Sequence, residues 1–246
     1  VSFVEKLMNL REKNGSHLCV GLDIDPERIQ QNPVSFCKKI IAETKEYVCA
    51  YKANLGFYLA MGEEGIEILK EVVAAIPPEI PWILDAKFGD IANSSSQYAR
   101  FAYEVAQADA VTLNPYMGFD SIKAFAKYED RYAFILTLTS NQSAADFQTH
   151  DDLSLKVAKK IGEWRKGYKN LGMVLGATQG EKLMPLLEGN DSFVLVPGIG
   201  SQGGSVDFLR DSEHYERLII NVSRSIIYAE NISKSCEEFY NLTYSK

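Results

Sequence analysis

Within residues 82–94, WILDAKFGDIANS, an aspartate, a lysine and a second aspartate stand at Asp85, Lys87 and Asp90. Strand side chains alternate between faces, so Asp85 and Lys87 are expected on one side with Ala86 turned away. Asp90 follows Gly89, a residue that lets the chain leave the strand. An ammonium held beside carboxylates stays charged and can serve as a proton donor in a site. The same charges could equally form a structural ion pair at a strand end. The strand's surroundings separate the two readings, because in an α/β barrel the C-terminal strand ends build the active site.

The elements that would hold these residues are legible around them. Trp82, Ile83 and Leu84, preceded by Pro77, Pro78 and Pro81, read as a buried strand. Asn93 or Ser94 is expected to cap a helix running through residues 100–107. Further strands are predicted at 17–22, 47–53, 110–113, 132–139, 172–176, 193–196 and 217–222. Helical patterns occupy the N-terminus up to about 14, then 33–45, 65–75, 121–128, 152–168, 181–187, 206–210 and 233–240. Strands alternating with helices imply parallel pairing, and eight such units in 246 residues predict an α/β fold: a single-domain (β/α)8 TIM barrel over 1–246 with an N-terminal helix. No GxGxxG follows the first strand, which counts against a doubly wound dinucleotide fold.

Composition narrows the function. A net charge of -7 argues against a nucleic-acid polymer recognised chiefly through its phosphates. Cys19, Cys37, Cys49 and Cys236 lack CxxC spacing and a histidine cluster, so no metal site or thiol redox pair is expected. They read as core residues of a cytoplasmic protein. No apolar run approaches the ~20 residues of a membrane span, and the N-terminus does not read as a signal peptide. His17, His150 and His214 fall at a strand start, in a loop and in a charged segment, where a solvated or structural role is expected. A lysine is then the best proton donor on the rim.

A second cluster lies at the last two strand ends. PGIGSQGG, residues 197–204, can expose backbone N–H groups without Cβ obstruction, and Arg224 follows strand eight. Loops after strands seven and eight commonly form a phosphate site in such barrels, for which Arg224 is the natural ligand. The alternative is a tight glycine turn and an arginine paired with a surface acid. Barrel order brings Asp23, Lys52, Asp85, Lys87, Ser140, Gln202 and Arg224 to one rim.

The segments GLDIDP, YKANLGFY, DAKFGDIANS, LTSN, PGIGSQGG and NVSRSI occur in this order. Together they resemble the orotidine 5'-monophosphate decarboxylase family, in the branch found in many bacteria and some protozoa. The resemblance spans nearly the whole chain. DxKxxD alone is shared with phosphosugar decarboxylases and aldol-type synthases, but its combination with PGIGxQGG is specific. The resemblance implies cofactor-free conversion of orotidine 5'-monophosphate to UMP and CO2 in de novo pyrimidine biosynthesis. It implies a homodimer with shared active sites, and it leaves open an association with orotate phosphoribosyltransferase. By the same resemblance, Lys52, Asp85, Lys87 and Asp90 form the catalytic array, Asp90 serving the neighbouring subunit, and Lys87 stabilises and protonates the C6 carbanion. Asp23 and Lys52 match ribose contacts, and Ile91 and Ser94 match residues that reach across the dimer. Ser140 matches the contact to the pyrimidine, Gln202 the bridge between base and phosphate, and Arg224 the phosphate ligand, with Gly203 and Ser223 beside it. Ser94 stands where many members have Thr, and Ser223 where others have Gly; the first keeps the hydroxyl and the second adjoins a backbone contact. A Mg2+-dependent phosphosugar enzyme would need a further acidic ligand, and a non-catalytic nucleotide-binding barrel would have no use for the Asp85, Lys87, Asp90 set.

Overall fold

The computed structural model describes residues 1–200, 203–205, 210 and 212–244. Strands β1 (Leu18–Gly21), β2 (Ala50–Asn54), β3 (Trp82–Phe88), β4 (Ala110–Leu113), β5 (Tyr132–Leu138), β6 (Leu171–Leu175), β7 (Val194–Val196) and β8 (Leu218–Val222) pair in chain order. All pairings are parallel, and β8 returns to β1 to close the barrel. Each of the eight sequence-predicted strands is present. The strands are short apolar runs because a parallel barrel buries both faces: Cys19, Ala50, Ile83, Ala110 and Phe134 point into one cluster, whereas Val20, Tyr51, Leu84, Val111 and Ile135 join the other, beneath the helices.

Helix α1 (Phe3–Asn14) starts with a capping box between Ser2 and Glu5 and stops at Gly15, whose φ of 60° suits a residue without a Cβ. Its Phe3 and Leu7 join the barrel's inner cluster, Phe3 meeting Phe134 edge-on at 5.7 Å. One end of the barrel is thereby filled with apolar side chains. Two residues further along the same inward faces of β2, β3, β4 and β8 come Lys52, Asp85, Thr112 and Asn221, so polar groups collect at the C-terminal end.

The remaining α-helices are α2 (Pro33–Thr44), α3 (Leu55–Leu59), α4 (Gly65–Ala74), α5 (Ala92–Arg100), α6 (Lys123–Ala126), α7 (Leu153–Trp164), α8 (Met184–Leu187), α9 (Arg224–Ile227) and α10 (Ile232–Thr243). Three depart from expectation. Helix α5 begins at Ala92 with Ile91 as its N-cap and no side-chain cap, so Asn93 and Ser94 sit in its first turn and do not cap it. The Asp90 carboxylate accepts the Ile91 N–H at 2.8 Å and Ala92 takes a φ of 49°, turning the chain into the helix before Asn93 is reached. The short α3 and α9, unforeseen in the sequence, follow β2 and β8 directly. The helix expected over 206–210 lies, apart from Arg210, outside the described residues. Among the described residues no helix is long and apolar enough to cross a membrane. All four cysteines are free and buried.

Candidate active site

The parallel register sets Gly21 beside Lys52 and Asn54 beside Asp85, so charges from three loop and strand ends meet. Lys52 Nζ lies 3.4 Å from Asp23 Oδ1 and 3.2 Å from Asp85 Oδ2, with its side chain only 4% exposed. Lys87 Nζ lies 2.6 Å from Asp85 Oδ1 and is far more open, at 45%. Thr112 Oγ1 donates to Asp85 Oδ1 at 2.8 Å, and Asn54 Nδ2 donates to Asp85 Oδ2 at 3.4 Å. The Asn54 N–H also donates to Asp23 Oδ1 at 2.9 Å. The array is therefore a continuous chain, Asp23, Lys52, Asp85, Lys87, in which the central carboxylate is saturated with donors.

Burial by itself would lift the Asp85 carboxyl, but the positive charges of Lys52 and Lys87 outweigh it and hold that group well below the usual carboxylate range. Burial would likewise lower Lys52, and the charges of Asp23 and Asp85 outweigh it, raising the ammonium above its ordinary value. The linkage signs follow. A depressed Asp85 contributes stability that is complete above the unfolded carboxylate's pKa near ~4 and fades as pH falls toward its folded value. A raised Lys52 contributes stability that is complete below the unfolded ammonium's pKa near ~10.4 and is lost as pH rises through its folded value. Urea unfolding is thus expected to show a plateau between these limits, with an acid limb that becomes shallower in Asp85→Asn. An unchanged acid limb in that variant would remove Asp85 from this account.

Lys87 reaches Asp85 by a route that simple alternation does not foresee. Leu84 pairs with Val111 and Phe88 with Leu113, so residues 85–87 of β3 stand against Thr112 alone, and the strand bulges. Lys87 takes a φ of 50°, a conformation costing a non-glycine residue on the order of 1–3 kcal/mol. Its N–H donates to Thr112 Oγ1 at 2.9 Å.

Above this array opens a cavity of about 480 Å³. Its lining is apolar at Leu136, Val174 and Leu195 and polar again at Ser140, Ser223 and Arg224. Ser140 packs tightly over β6: a Cβ on Gly176 would fall 2.4 Å from its backbone nitrogen. Ser223 Oγ donates to the Gly21 carbonyl at 3.1 Å, and a Cβ on Gly21 would fall 2.8 Å from the Ser223 Cβ, so β1 and β8 meet closely here. Arg224, exposed at the start of α9, makes no ion pair among the described residues, unlike an arginine held by a surface acid. Gly200 and Gly203 both have a φ of 77°, and the Gly203 N–H donates to the Gly200 carbonyl at 2.8 Å.

Of the sequence-predicted residues, Asp23, Lys52, Asp85, Lys87, Ser140, Ser223 and Arg224 come together around this cavity. Asp90, Ile91, Ser94 and Gly203 do not line it, and Ile91 is 49% exposed. Gln202 lies outside the described residues. No histidine lines the cavity. Burial and the nearby Arg11 push His17 down to about 4, and His214 is buried against Arg217, the structural one of the two roles expected of it. Sequence reasoning passed over Asn54, Thr112 and Asn221, polar residues at strand ends whose one signal is an inward-facing position. Asn221 is buried, and its Oδ1 has no hydrogen-bond partner among the described residues.

Comparison with known proteins adds a second line. The sequence profile described as the orotidine 5'-phosphate decarboxylase / HUMPS family matches residues 16–239. Orotidine 5'-phosphate decarboxylase of Dehalococcoides mccartyi is 42% identical over 248 residues, covering 95% of this chain and 92% of that protein. A solved structure of Leishmania donovani OMP decarboxylase superposes with a TM-score of 0.89 at 35% identity, covering 100% of both chains. Leishmania donovani UMP synthase superposes with a TM-score of 0.92 at 36% identity over 99% of this chain, which spans only 56% of that longer one.

Proposed function

The chain belongs to the orotidine 5'-phosphate decarboxylase / HUMPS family as a carboxy-lyase, and on that premise we propose that Lys87 drives decarboxylation of orotidine 5'-monophosphate to UMP without a cofactor. The carrying observation is a buried Asp85 carboxylate that presents the Lys87 ammonium at 2.6 Å to a cavity lined also by Arg224, which makes no ion pair among the described residues. With the phosphate on Arg224 and the pyrimidine against the apolar lining and Ser140, C6 faces the charged array. The bond from C6 to the carboxylate carbon breaks, CO2 leaves, and the electron pair stays on C6. The Lys87 ammonium stabilises that pair and then transfers a proton to it, giving UMP, after which the neutral amine recovers a proton from solvent. Asp23 and Lys52, locked to Asp85 on the other side, are suited to the ribose hydroxyls.

The test is an assay in chelator-treated buffer that follows loss of orotidine 5'-monophosphate and release of CO2. Turnover without added metal is expected; its absence, or dependence on Mg2+, would defeat the reading. Arg224→Ala is expected to weaken apparent substrate affinity by roughly 10–100-fold, the worth of a charge-assisted hydrogen bond to a non-reacting group, with a smaller change in kcat. If both constants stay at wild-type values, the phosphate lies elsewhere.

In the same reading Asp90, Ile91 and Ser94 complete the site of a second copy in a two-fold dimer. What supports this is that all three lie off their own cavity around the start of α5, where Ile91 and Ser94 are exposed and Ile91 presents apolar surface. The reading further includes a single barrel domain over 1–246, a cytoplasmic location and a step of de novo pyrimidine biosynthesis.

A further inference from the structure

We infer that Thr112 is the positioning residue of the site: its one hydroxyl holds both the Asp85 carboxylate and the bulged backbone of Lys87, and so sets where the Lys87 ammonium stands. The hydroxyl proton goes to Asp85 Oδ1 at 2.8 Å while the oxygen accepts the Lys87 N–H at 2.9 Å. One side chain thus ties the acid to the backbone of the base across the interval in which β3 has residues 85–87 opposite a single β4 residue. That interval carries the positive φ of Lys87, a conformation that persists only where its surroundings over-determine it. The Lys87 N–H has lost its place in the ladder at the bulge, and Thr112 Oγ1 is the acceptor it finds.

Thr112 is 1% exposed and fixed within β4, between Val111 and Leu113, whose pairings flank the bulge. Its β-branched side chain has restricted χ1 freedom, which suits a residue that must place an oxygen. Valine at this position has nearly the same shape and lacks both functions of the hydroxyl. Serine keeps both and loses only a methyl group.

This inference rests on the decarboxylase reading, and the experiment separates the two. Wild type, Thr112→Val, Thr112→Ser and Thr112→Ala are assayed with orotidine 5'-monophosphate, and each is titrated with UMP. Thr112→Val is expected to lose about 100-fold in kcat, the scale of a misplaced reacting group, while UMP affinity stays within about threefold of wild type. Thr112→Ser is expected to keep kcat within about threefold, whereas Thr112→Ala falls with Thr112→Val. Comparing serine with alanine at the same position isolates the hydroxyl even if valine impairs folding. Wild-type kcat in Thr112→Val, equal losses in serine and alanine variants, or a loss confined to UMP affinity would each overturn the assignment. An inactive wild type would instead defeat the decarboxylase reading. Crystal structures of wild type and Thr112→Ala then still decide the positioning role: Lys87 is expected to leave positive φ and its Nζ to part from Asp85, and an unmoved Lys87 overturns it.

Discussion

Lys87→Ala is expected to abolish measurable turnover, by at least about 10⁴-fold, while UMP still binds within a few-fold of wild type. The magnitude combines two losses at one atom. A positioned general acid contributes typically ~10²–10⁴-fold, and a preorganised electrostatic donor costs ~10²–10³-fold on removal. Binding is spared because Arg224, which lines the cavity from the start of α9, is retained, and because Lys52 still holds Asp23 and Asp85. Single-turnover kinetics with equilibrium UMP titration make the measurement. Turnover within about tenfold of wild type would take the proton-donor role from Lys87. A parallel collapse of UMP affinity would mean that Lys87 acts mainly in binding.

The second large effect is a recovery of activity. Asp90→Ala and Lys87→Ala chains are each expected to be inactive alone, and mixing them with subunit exchange is expected to restore turnover. Asp90 lies past Gly89 and does not line this cavity of its own chain, whereas Lys87 does. If Asp90 completes the site of a two-fold partner, a mixed dimer has one site with both lesions and one with neither, worth about half of wild type. Statistical exchange of equal amounts would form such dimers as ~half of the population and recover about a quarter of the activity. Differently tagged chains verify the exchange by co-purification. Verified exchange without activity would show that Asp90 does not serve a partner.

The amino-acid sequence by itself determined the number, order and direction of the strands, because a strand buried on both faces must be a short apolar run and a helix must repeat its apolar residues every third or fourth position. These signals are local, and Ala110–Leu113 is found where they put it. Asp85, Lys87 and Arg224 were equally legible, since the end of an inward-facing strand in a barrel is the rim of its open end. Tertiary structure alone decided how those groups meet. The bulge in β3 arises from its pairing with β4, so neither the positive φ of Lys87 nor the hydroxyl that braces it can be read from either strand separately. Asn54 and Thr112 join the array for the same reason: contacts across strands depend on register, which forms only when distant segments pair. The start of α5 likewise turned on one non-repeating event, the Asp90 carboxylate taking the Ile91 N–H, which no periodic pattern encodes.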